Sequence, residues 1–287
     1  MTAGVGVPTA FAEVLDGWSP ASETVTGELD PWPATALAAL LGADPLTPGE
    51  PLPPLWHEVY LRTAHPVSVL AEDGHPLADA LVPPLADRRR MFGGGRLRVG
   101  QPLRVGEVAT RTSAVADIRA RQGRSGWLLL VTERHDFAVG GSLRVREERD
   151  IVYRMASDMA RPTRSAEPVA TGPVAYRIEP DERLLFCMSA LTYNAHRIHY
   201  DRDFTVGVEG HPDLLVHGPL LALGTVEAAR RHDPREIAAV DYRLVSPAYV
   251  GGGTIGFSVA PDDASRSLRV VGHQAAVPKV EATVTLR

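Results

Sequence analysis

The sequence has a single cysteine, Cys187, and no uninterrupted apolar run that approaches 18 residues. One cysteine excludes an intramolecular disulfide and a thiolate zinc cluster. The lack of a long apolar run predicts that no helix spans a membrane. Basic residues are not in excess either, since 30 Lys and Arg stand against 35 Asp and Glu. A net charge of −5 argues against a nucleic-acid partner, which usually requires a basic face.

The composition and the N-terminal residues further narrow the class of protein. With 44% hydrophobic and 23% charged residues, the 287-residue chain is typical of a globular protein with one large domain or two smaller ones. Residues 1–10 lack a basic segment followed by an apolar one, so we predict no signal peptide and a cytoplasmic protein. Cys187 lies in an apolar stretch of helical character, so we expect a buried small side chain rather than a nucleophile.

Two parts of the sequence resemble each other at a nearly constant offset. The pattern Pro-x-x-Val-Gly occurs at Pro102–Gly106 and again at Pro247–Gly251, 145 residues later. Upstream, an acidic residue before a proline marks a helix start at Asp30-Pro31 and again at Glu179-Pro180. We therefore predict an internal duplication, with one domain over residues 1–160 and a second over residues 161–287.

Each half is predicted to contain a short strand, a helix, a variable middle and several long strands. The helices are expected over 34–42 and 182–191. Strands are expected over 96–99, 107–120, 127–137 and 142–153 in the first half, and over 238–244, 254–259, 267–272 and 279–286 in the second. The Gly93-Gly94-Gly95 run is interpreted as a turn.

The variable middles differ between the halves. Residues 219–231 are apolar on nearly all sides for three turns, which predicts a helix covered by a curved sheet. The corresponding region of the first half, residues 72–87, is interrupted by Pro76, Pro83 and Pro84, so a central helix cannot form there. We expect the second half to hold the chemistry and the first half to make room for a substrate.

Two segments carry the residues needed for proton chemistry next to a carbonyl. Residues 193–201 supply His199 as an acid or base, the amide of Asn194 and the carboxylate of Asp201. His217-Gly218-Pro219 then opens the apolar helix, and the helix N-terminus favours developing negative charge near the Gly218 N–H.

The ten residues Thr192–Asp201 resemble the signature of the MaoC-like hydratases and dehydratases, roughly Ser/Thr-Gly-Asp-x-Asn-Pro-Ile/Leu-His-x-Asp. In this resemblance His199 takes the position of the catalytic histidine and Asn194 that of the catalytic aspartate. Residues 190–201, together with 55–57 and 148–153, are most similar to the branch of hydroxyacyl-thioester dehydratases type 2 and mesaconyl-C4-CoA hydratases.

The resemblance implies an α+β double hotdog fold, in which an antiparallel sheet wraps around a central helix and the first-half helix is degenerate. It implies a hydro-lyase that adds water to an enoyl thioester of coenzyme A or acyl carrier protein, or removes it, without a metal or redox cofactor. A homodimer is a further expectation. Candidate substrate-binding residues are His196, Arg197, Asp201, Arg202 and His217.

The departures from the signature bear on the mechanism. Asn194 replaces an aspartate, and an amide cannot take up a proton as a carboxylate does. His196 and Arg197 replace Asn-Pro. Arg197 and Arg202 are suited to a substrate carboxylate or to coenzyme A phosphates, and equally to structural salt bridges. His217 is either a substrate contact or a neighbour of the helix cap.

Other activities are less consistent with the sequence. There is no Gly-x-Ser-x-Gly motif of a serine hydrolase, and the glycine run lacks the Lys-Ser/Thr of a phosphate loop. His196 and His199 are three residues apart rather than the four of a zinc-protease helix. Two alternatives stay open: an acyl thioesterase with the same fold, and a non-catalytic protein that binds acyl thioesters.

Overall fold

The computed structural model describes residues 6–86, 88–123, 126–155, 172–262 and 266–287. Within them the helices are α1 (Thr9–Gly17), α2 (Pro31–Leu41), α3 (Glu182–Thr192), α4 (Arg202–Gly207) and α5 (Gly218–His232). The strands are β1 (Glu23–Glu28), β2 (Arg88–Val99), β3 (Val108–Gly123), β4 (Gly126–Val139), β5 (Ser142–Met155), β6 (Val174–Ile178), β7 (Ile237–Leu244), β8 (Ile255–Pro261), β9 (Ser267–Gln274) and β10 (Val277–Leu286).

The ten strands form one antiparallel sheet with a palindromic order. The order is β1-β3-β4-β5-β2 followed by β7-β10-β9-β8-β6, so the second five strands repeat the first five in reverse. At the central β2–β7 pair, Arg96 lies opposite Asp241. These two residues are 145 positions apart, which is the offset of the sequence repeat, so a pseudo-two-fold axis passes between them. The predicted domain boundary at residue 160 lies outside the described residues.

The prediction of a turn at Gly93–Gly95 is wrong, because these glycines lie inside β2. A bulge interrupts the pairing with β5 between Phe92 and Gly94. A Cβ on Gly94 would lie 2.4 Å from the Tyr242 carbonyl oxygen, and one on Gly95 would lie 2.6 Å from the Glu148 carbonyl oxygen. The glycines therefore allow β2 to fit closely between β5 and β7, where the two halves join.

The second half has the predicted central helix. α5 packs against strands β6 to β10, and every residue from Leu220 to Ala229 is buried. Gly224 provides close contact with the sheet, since a Cβ there would come within 2.2 Å of the Phe257 ring. Arg230 and Arg231 end the helix, where cations are favoured by the helix dipole.

The first half has no such helix among its described residues. Between α2 and β2 the chain forms two short 3₁₀ helices, Trp56–Val59 and Val67–Val69, joined by turns. Part of the open sheet face is covered instead by α1, whose Phe11 and Val14 pack with Leu129 and Ile151 in a separate apolar cluster. The predicted loss of the first-half helix is confirmed.

Charged and polar side chains occupy the middle of this open face. Two clusters of apolar residues lie on either side of them. We call these residues the polar belt: His57, Glu58, Arg111, Ser113, Glu133, His135, Glu147 and Arg149. His57 Nε2 lies 3.0 Å from Glu147, and Arg149 donates to the same carboxylate at 2.7 Å. The belt marks where the core of the first half is interrupted.

The prediction that Cys187 is buried is wrong. Asp181 caps α3 by accepting from the Leu184 N–H, and the helix buries Leu185 and Met188 on one face. Cys187 lies on the opposite face and is exposed, because helical spacing separates it from the buried positions. Within the described residues, no helix has the length and apolar character needed to cross a membrane.

Candidate active site

The motif of residues 194–201 forms a tight loop between two helices. Tyr193 ends α3 in the left-handed conformation, with φ of 50°. The chain then makes a 3₁₀ turn over Arg197–His199 and enters α4, whose N-terminus is capped by the Asp201 carboxylate through the Phe204 N–H at 2.9 Å. Two capped helices thus fix both ends of the loop that holds His199.

The tautomer of His199 follows from its hydrogen bond. Nδ1 lies 2.9 Å from the Leu215 carbonyl oxygen, and a carbonyl can only accept, so Nδ1 carries the proton. Nε2 is then left with a lone pair. Burial lowers the pKa of His199 to about 4, because the charged imidazolium loses its hydration. At neutral pH His199 is therefore a neutral base with Nε2 as its reactive atom.

His217 and Gly218 lie directly beside His199. The two imidazole rings are stacked, with centroids 3.7 Å apart, and His217 Nε2 lies 2.9 Å from the Ser189 hydroxyl. Burial lowers the pKa of His217 well below its ordinary value. Gly218 is the first residue of α5, so its N–H has no partner within the helix. A Cβ there would lie 2.6 Å from Leu244 and 2.7 Å from Phe92.

Asn194 and His196 stabilise the loop. The Asn194 side-chain oxygen accepts from the His196 N–H at 3.0 Å, which leaves the amide NH₂ as its remaining donor. The His196 ring is 5.6 Å from that of His199, and burial lowers its pKa well below the ordinary value. The structure therefore brings Asn194, His196, His199, His217 and Gly218 into one region.

The charged candidates Arg197, Asp201 and Arg202 interact mainly with each other or with nearby acids. Arg197 donates to Asp201 at 2.7 Å, and its guanidinium lies 4.1 Å above the Phe204 ring. Arg202 is bound to Asp213 and to Glu182 on the surface. These contacts give the three side chains a role in holding the loop, and their place in substrate binding stays a prediction.

A first-half loop completes the site, and no pattern in the sequence predicted it. Gly74, at φ of 90°, lies so close to the motif that a Cβ would be 1.8 Å from the Ala195 carbonyl oxygen. The Arg197 N–H donates to the Asp73 carbonyl at 2.8 Å. The His75 ring lies 3.9 Å from that of His196. Four imidazoles, those of His75, His196, His199 and His217, thus form a continuous row, which we call the histidine row.

The row includes a group of possible metal ligands. Atoms of Asp73, His75 and His196 lie within 4.8 Å of one another. Two of these atoms already form a hydrogen bond, from His75 Nδ1 to the Asp73 carboxylate at 3.0 Å. This bond lowers the pKa of Asp73 against the effect of burial. The carboxylate orients His75 toward the motif, as such pairs do for catalytic histidines.

A sizeable cavity lies away from this site. It has a volume of about 380 Å³ and is bounded by residues such as Pro53, His57, Arg230 and Ile237. Arg230 is about 18 Å along α5 from Gly218, given 1.5 Å per residue. The chemistry of His199 and Gly218 therefore belongs to the opposite end of the central helix.

This combination of fold and site identifies the class of protein. The family model of hydroxyacyl-thioester dehydratase type 2 matches residues 55–250, more than half of the chain. The chain belongs to this family, and it is a hydro-lyase acting on acyl thioesters. The matched region contains the 55–57 and 148–153 segments as well as the motif, as the resemblance implied.

Individual proteins agree with this assignment. The chain is 42% identical to the mesaconyl-C(4)-CoA hydratase of Chloroflexus aurantiacus over 221 residues, which cover 75% of this chain and 79% of the relative. A MaoC-like dehydratase from Phytophthora capsici has a TM-score of 0.66 at 15% identity, covering 96% and 98% of the two chains. A Mycobacterium tuberculosis protein described as a double hotdog has a TM-score of 0.53 at 15% identity, covering 98% and 99%. The predicted double hotdog fold is confirmed.

Proposed function

We propose that the protein adds water to an α,β-unsaturated acyl-CoA, with a mesaconyl-C4-CoA-like thioester as substrate. The neutral His199, stacked on His217 directly before the first helical N–H at Gly218, is the observation that carries this proposal, because it brings a base close to an oxyanion donor. The similarity to the mesaconyl-C(4)-CoA hydratase supports coenzyme A as the carrier.

In the proposed reaction, the water oxygen bonds to C3 as His199 Nε2 takes its proton. Negative charge moves to the thioester oxygen, where the Gly218 N–H stabilises it by about 3 kcal/mol. His199 then returns a proton to C2. The C2–C3 double bond becomes single, and no group leaves. The Asn194 amide holds the water through its NH₂ group, since its oxygen is bound to the His196 N–H.

We further propose one thioester site per chain, in the groove where α5 meets the first half. At the 145-residue offset, Gly49 and Pro54 stand in the first half where the second half has Asn194 and His199. A homodimer, delivery by an acyl carrier protein and a cytoplasmic location are parts of the proposal that need separate measurements.

The test is an assay with crotonyl-CoA and mesaconyl-C4-CoA that follows the enoyl absorbance and free thiol together. A hydratase lowers the absorbance without releasing coenzyme A. A thioesterase releases coenzyme A, and a non-catalytic binder does neither, so either result would contradict the proposal. Calorimetric titration with butyryl-CoA, which has no double bond, should saturate at one ligand per chain, and a stoichiometry of two would contradict the single site.

A further inference from the structure

The open face of the first half contains polar groups that lack hydrogen-bond partners. Within the described residues, the unpartnered buried atoms on this face include Arg149 Nε and Arg111 Nε. Buried polar atoms are nearly always paired in folded proteins. Their concentration beside the acyl-binding groove indicates a place where a polar ligand group completes the structure.

One guanidinium group on this face lacks a direct ion pair. Four such groups, those of Arg62, Arg90, Arg111 and Arg149, interact with four carboxylates, those of Glu23, Glu58, Glu133 and Glu147. Among the described residues, however, Arg111 has no carboxylate within salt-bridge distance, and Thr63 accepts from it at 3.0 Å. A partly buried guanidinium group without a direct counter-ion is costly unless an anion approaches it.

Arg90 is the guanidinium of this set that lies nearest to the chemistry. It is two residues before Phe92 on β2, so the two side chains project from the same face of the strand. Phe92 packs closely against Gly218, because a Cβ on Gly218 would lie only 2.7 Å from the Phe92 ring. Arg90 is therefore about 7 Å farther along the groove from the oxyanion donor.

The guanidinium group of Arg90 is less fully bound by protein acceptors than those of the neighbouring arginines. Its nearest carboxylate oxygen, on Glu133, is 3.6 Å away, longer than a hydrogen bond, and 30% of its side chain is accessible. By contrast, Arg149 is bound to both Glu58 and Glu147, and Arg88 donates to three backbone carbonyls. Tyr153 pairs with Arg90 across β2 and β5, and its hydroxyl interacts with the same guanidinium.

Arg90 also faces the histidine row. Its positive charge contributes to the lowered pKa of both His75 and His196. The His196 ring is in turn 5.6 Å from that of His199, so the guanidinium lies near the group of imidazoles that contains the proposed base.

We propose that Arg90, together with the Tyr153 hydroxyl, binds a carboxylate at the far end of the acyl group. This makes the site selective for thioesters of short unsaturated dicarboxylic acids over uncharged enoyl thioesters. The inference rests on the proposed hydratase function, and it assigns to Arg90 the recognition of the part of the substrate that does not react. Guanidinium binds carboxylate in a bidentate manner, for which lysine is a poor substitute.

The test compares mesaconyl-C4-CoA with 3-methylcrotonyl-CoA, in which a methyl group replaces the carboxylate. For Arg90→Leu we expect kcat/KM to fall about 100-fold or more with the carboxylated thioester and less than about threefold with the neutral one. Arg90→Lys should keep the fold and lose about tenfold with the carboxylated thioester alone. Arg89→Leu is the matched control, because Arg89 projects from the other face of β2 and binds Glu209 at 2.9 Å.

Several results would overturn the proposal. These are an equal loss with both thioesters in Arg90→Lys, no loss with either, or no preference in the wild-type protein. If the wild-type protein hydrates neither thioester, the proposed hydratase function is rejected. The role of Arg90 is then tested separately by measuring binding affinities. In that case succinyl-CoA should bind at least tenfold more tightly than butyryl-CoA, and Arg90→Lys should remove the difference; equal affinities would reject the carboxylate site.

Discussion

The two halves of this molecule share one topology and differ in what fills the curved sheet. In the second half, ten consecutive buried residues of α5 form an apolar centre. In the first half, the same space is occupied by α1 at one end and by the polar belt in the middle. The comparison shows that a fold can keep its strands while one copy has short 3₁₀ helices and buried polar side chains in place of a central helix. The histidine row lies where the filled half meets the open one.

The largest effect should come from His199→Ala, which we expect to lower kcat by about 10² to 10⁴, since the neutral base is lost. The matched variant in the first half is His57→Gln, a buried histidine of the polar belt that binds Glu147. It should leave turnover per folded molecule within about fivefold. Activity assays on both variants, with circular dichroism to verify folding, would test whether the chemistry belongs to the second half alone.

Next in size is Arg149→Met, which leaves the buried carboxylates Glu58 and Glu147 without their shared partner. We expect the free energy of unfolding to fall by about 3–5 kcal/mol. Arg146 lies on the same strand and binds the more exposed Asp136, so Arg146→Met should cost less than about 1 kcal/mol. Urea denaturation of both variants measures the difference. Equal losses would show that the polar belt is not a distinct structural element.

The dependence of stability on pH should distinguish the buried histidines from the carboxylates of the polar belt. Burial lowers the pKa of all four imidazoles of the histidine row below the ordinary value of 6.5. The unfolded chain therefore binds more protons, so their contribution to stability is complete above pH 6.5 and is lost as the pH falls. Each imidazole adds a slope of up to about 1.4 kcal/mol per pH unit.

The carboxylates Glu133 and Glu147 of the polar belt also have lowered pKa values, and their contribution is lost only below about pH 4.5. Burial also lowers the pKa of His135 in the polar belt and of His273, so urea denaturation between pH 5 and 6.5 reports these two imidazoles together with the histidine row, and a variant is needed to isolate the row. His196→Asn should reduce the slope there by up to about 1.4 kcal/mol per pH unit. An unchanged slope in this variant would mean that His196 is not held neutral in the folded protein.

The smallest effect is expected for Asn194→Asp. A carboxylate accepts from the His196 N–H as the amide does, so the loop should keep its shape and kcat should stay within about tenfold. The new negative charge raises the pKa of His199, so the loss of activity on the acid side should begin at a higher pH. A pH–rate profile with Asn194→Ala alongside measures this. An inactive Asn194→Asp would show that donation by the amide is essential.

The sequence predicted the repeated strands, the apolar α5 and the degenerate first half because each has a local signal: alternation, an apolar run or a proline. It also predicted the motif around His199. It did not predict the contacts of Gly74 with Ala195 and of His75 with His196. Contacts between residues more than 100 positions apart produce no local sequence pattern from which they could be recognised. Gly93–Gly95 was misread for a related reason, since glycine signals close approach as well as turns.

The arginines show a further limit of the sequence. Arg197 lies in the motif and Arg202 follows it, which made both of them candidates, yet each is bound to neighbouring acids. Arg90 lies in a run of three arginines, and nothing in that run distinguishes the one that faces the groove. The alternation of a strand does so only when its register with β5 is known.

The pairing of Arg96 with Asp241 has an evolutionary consequence. If two separate copies of one hotdog unit paired here, a two-fold axis would place the residue at this position opposite its own copy, and every mutation would appear in both copies at once. Here the two sides carry different residues, a cation and an anion, within a single polypeptide. Covalent fusion released each copy from the constraint of symmetry, so one could lose its helix and acquire buried charge while the other kept the packing that holds the sheet together.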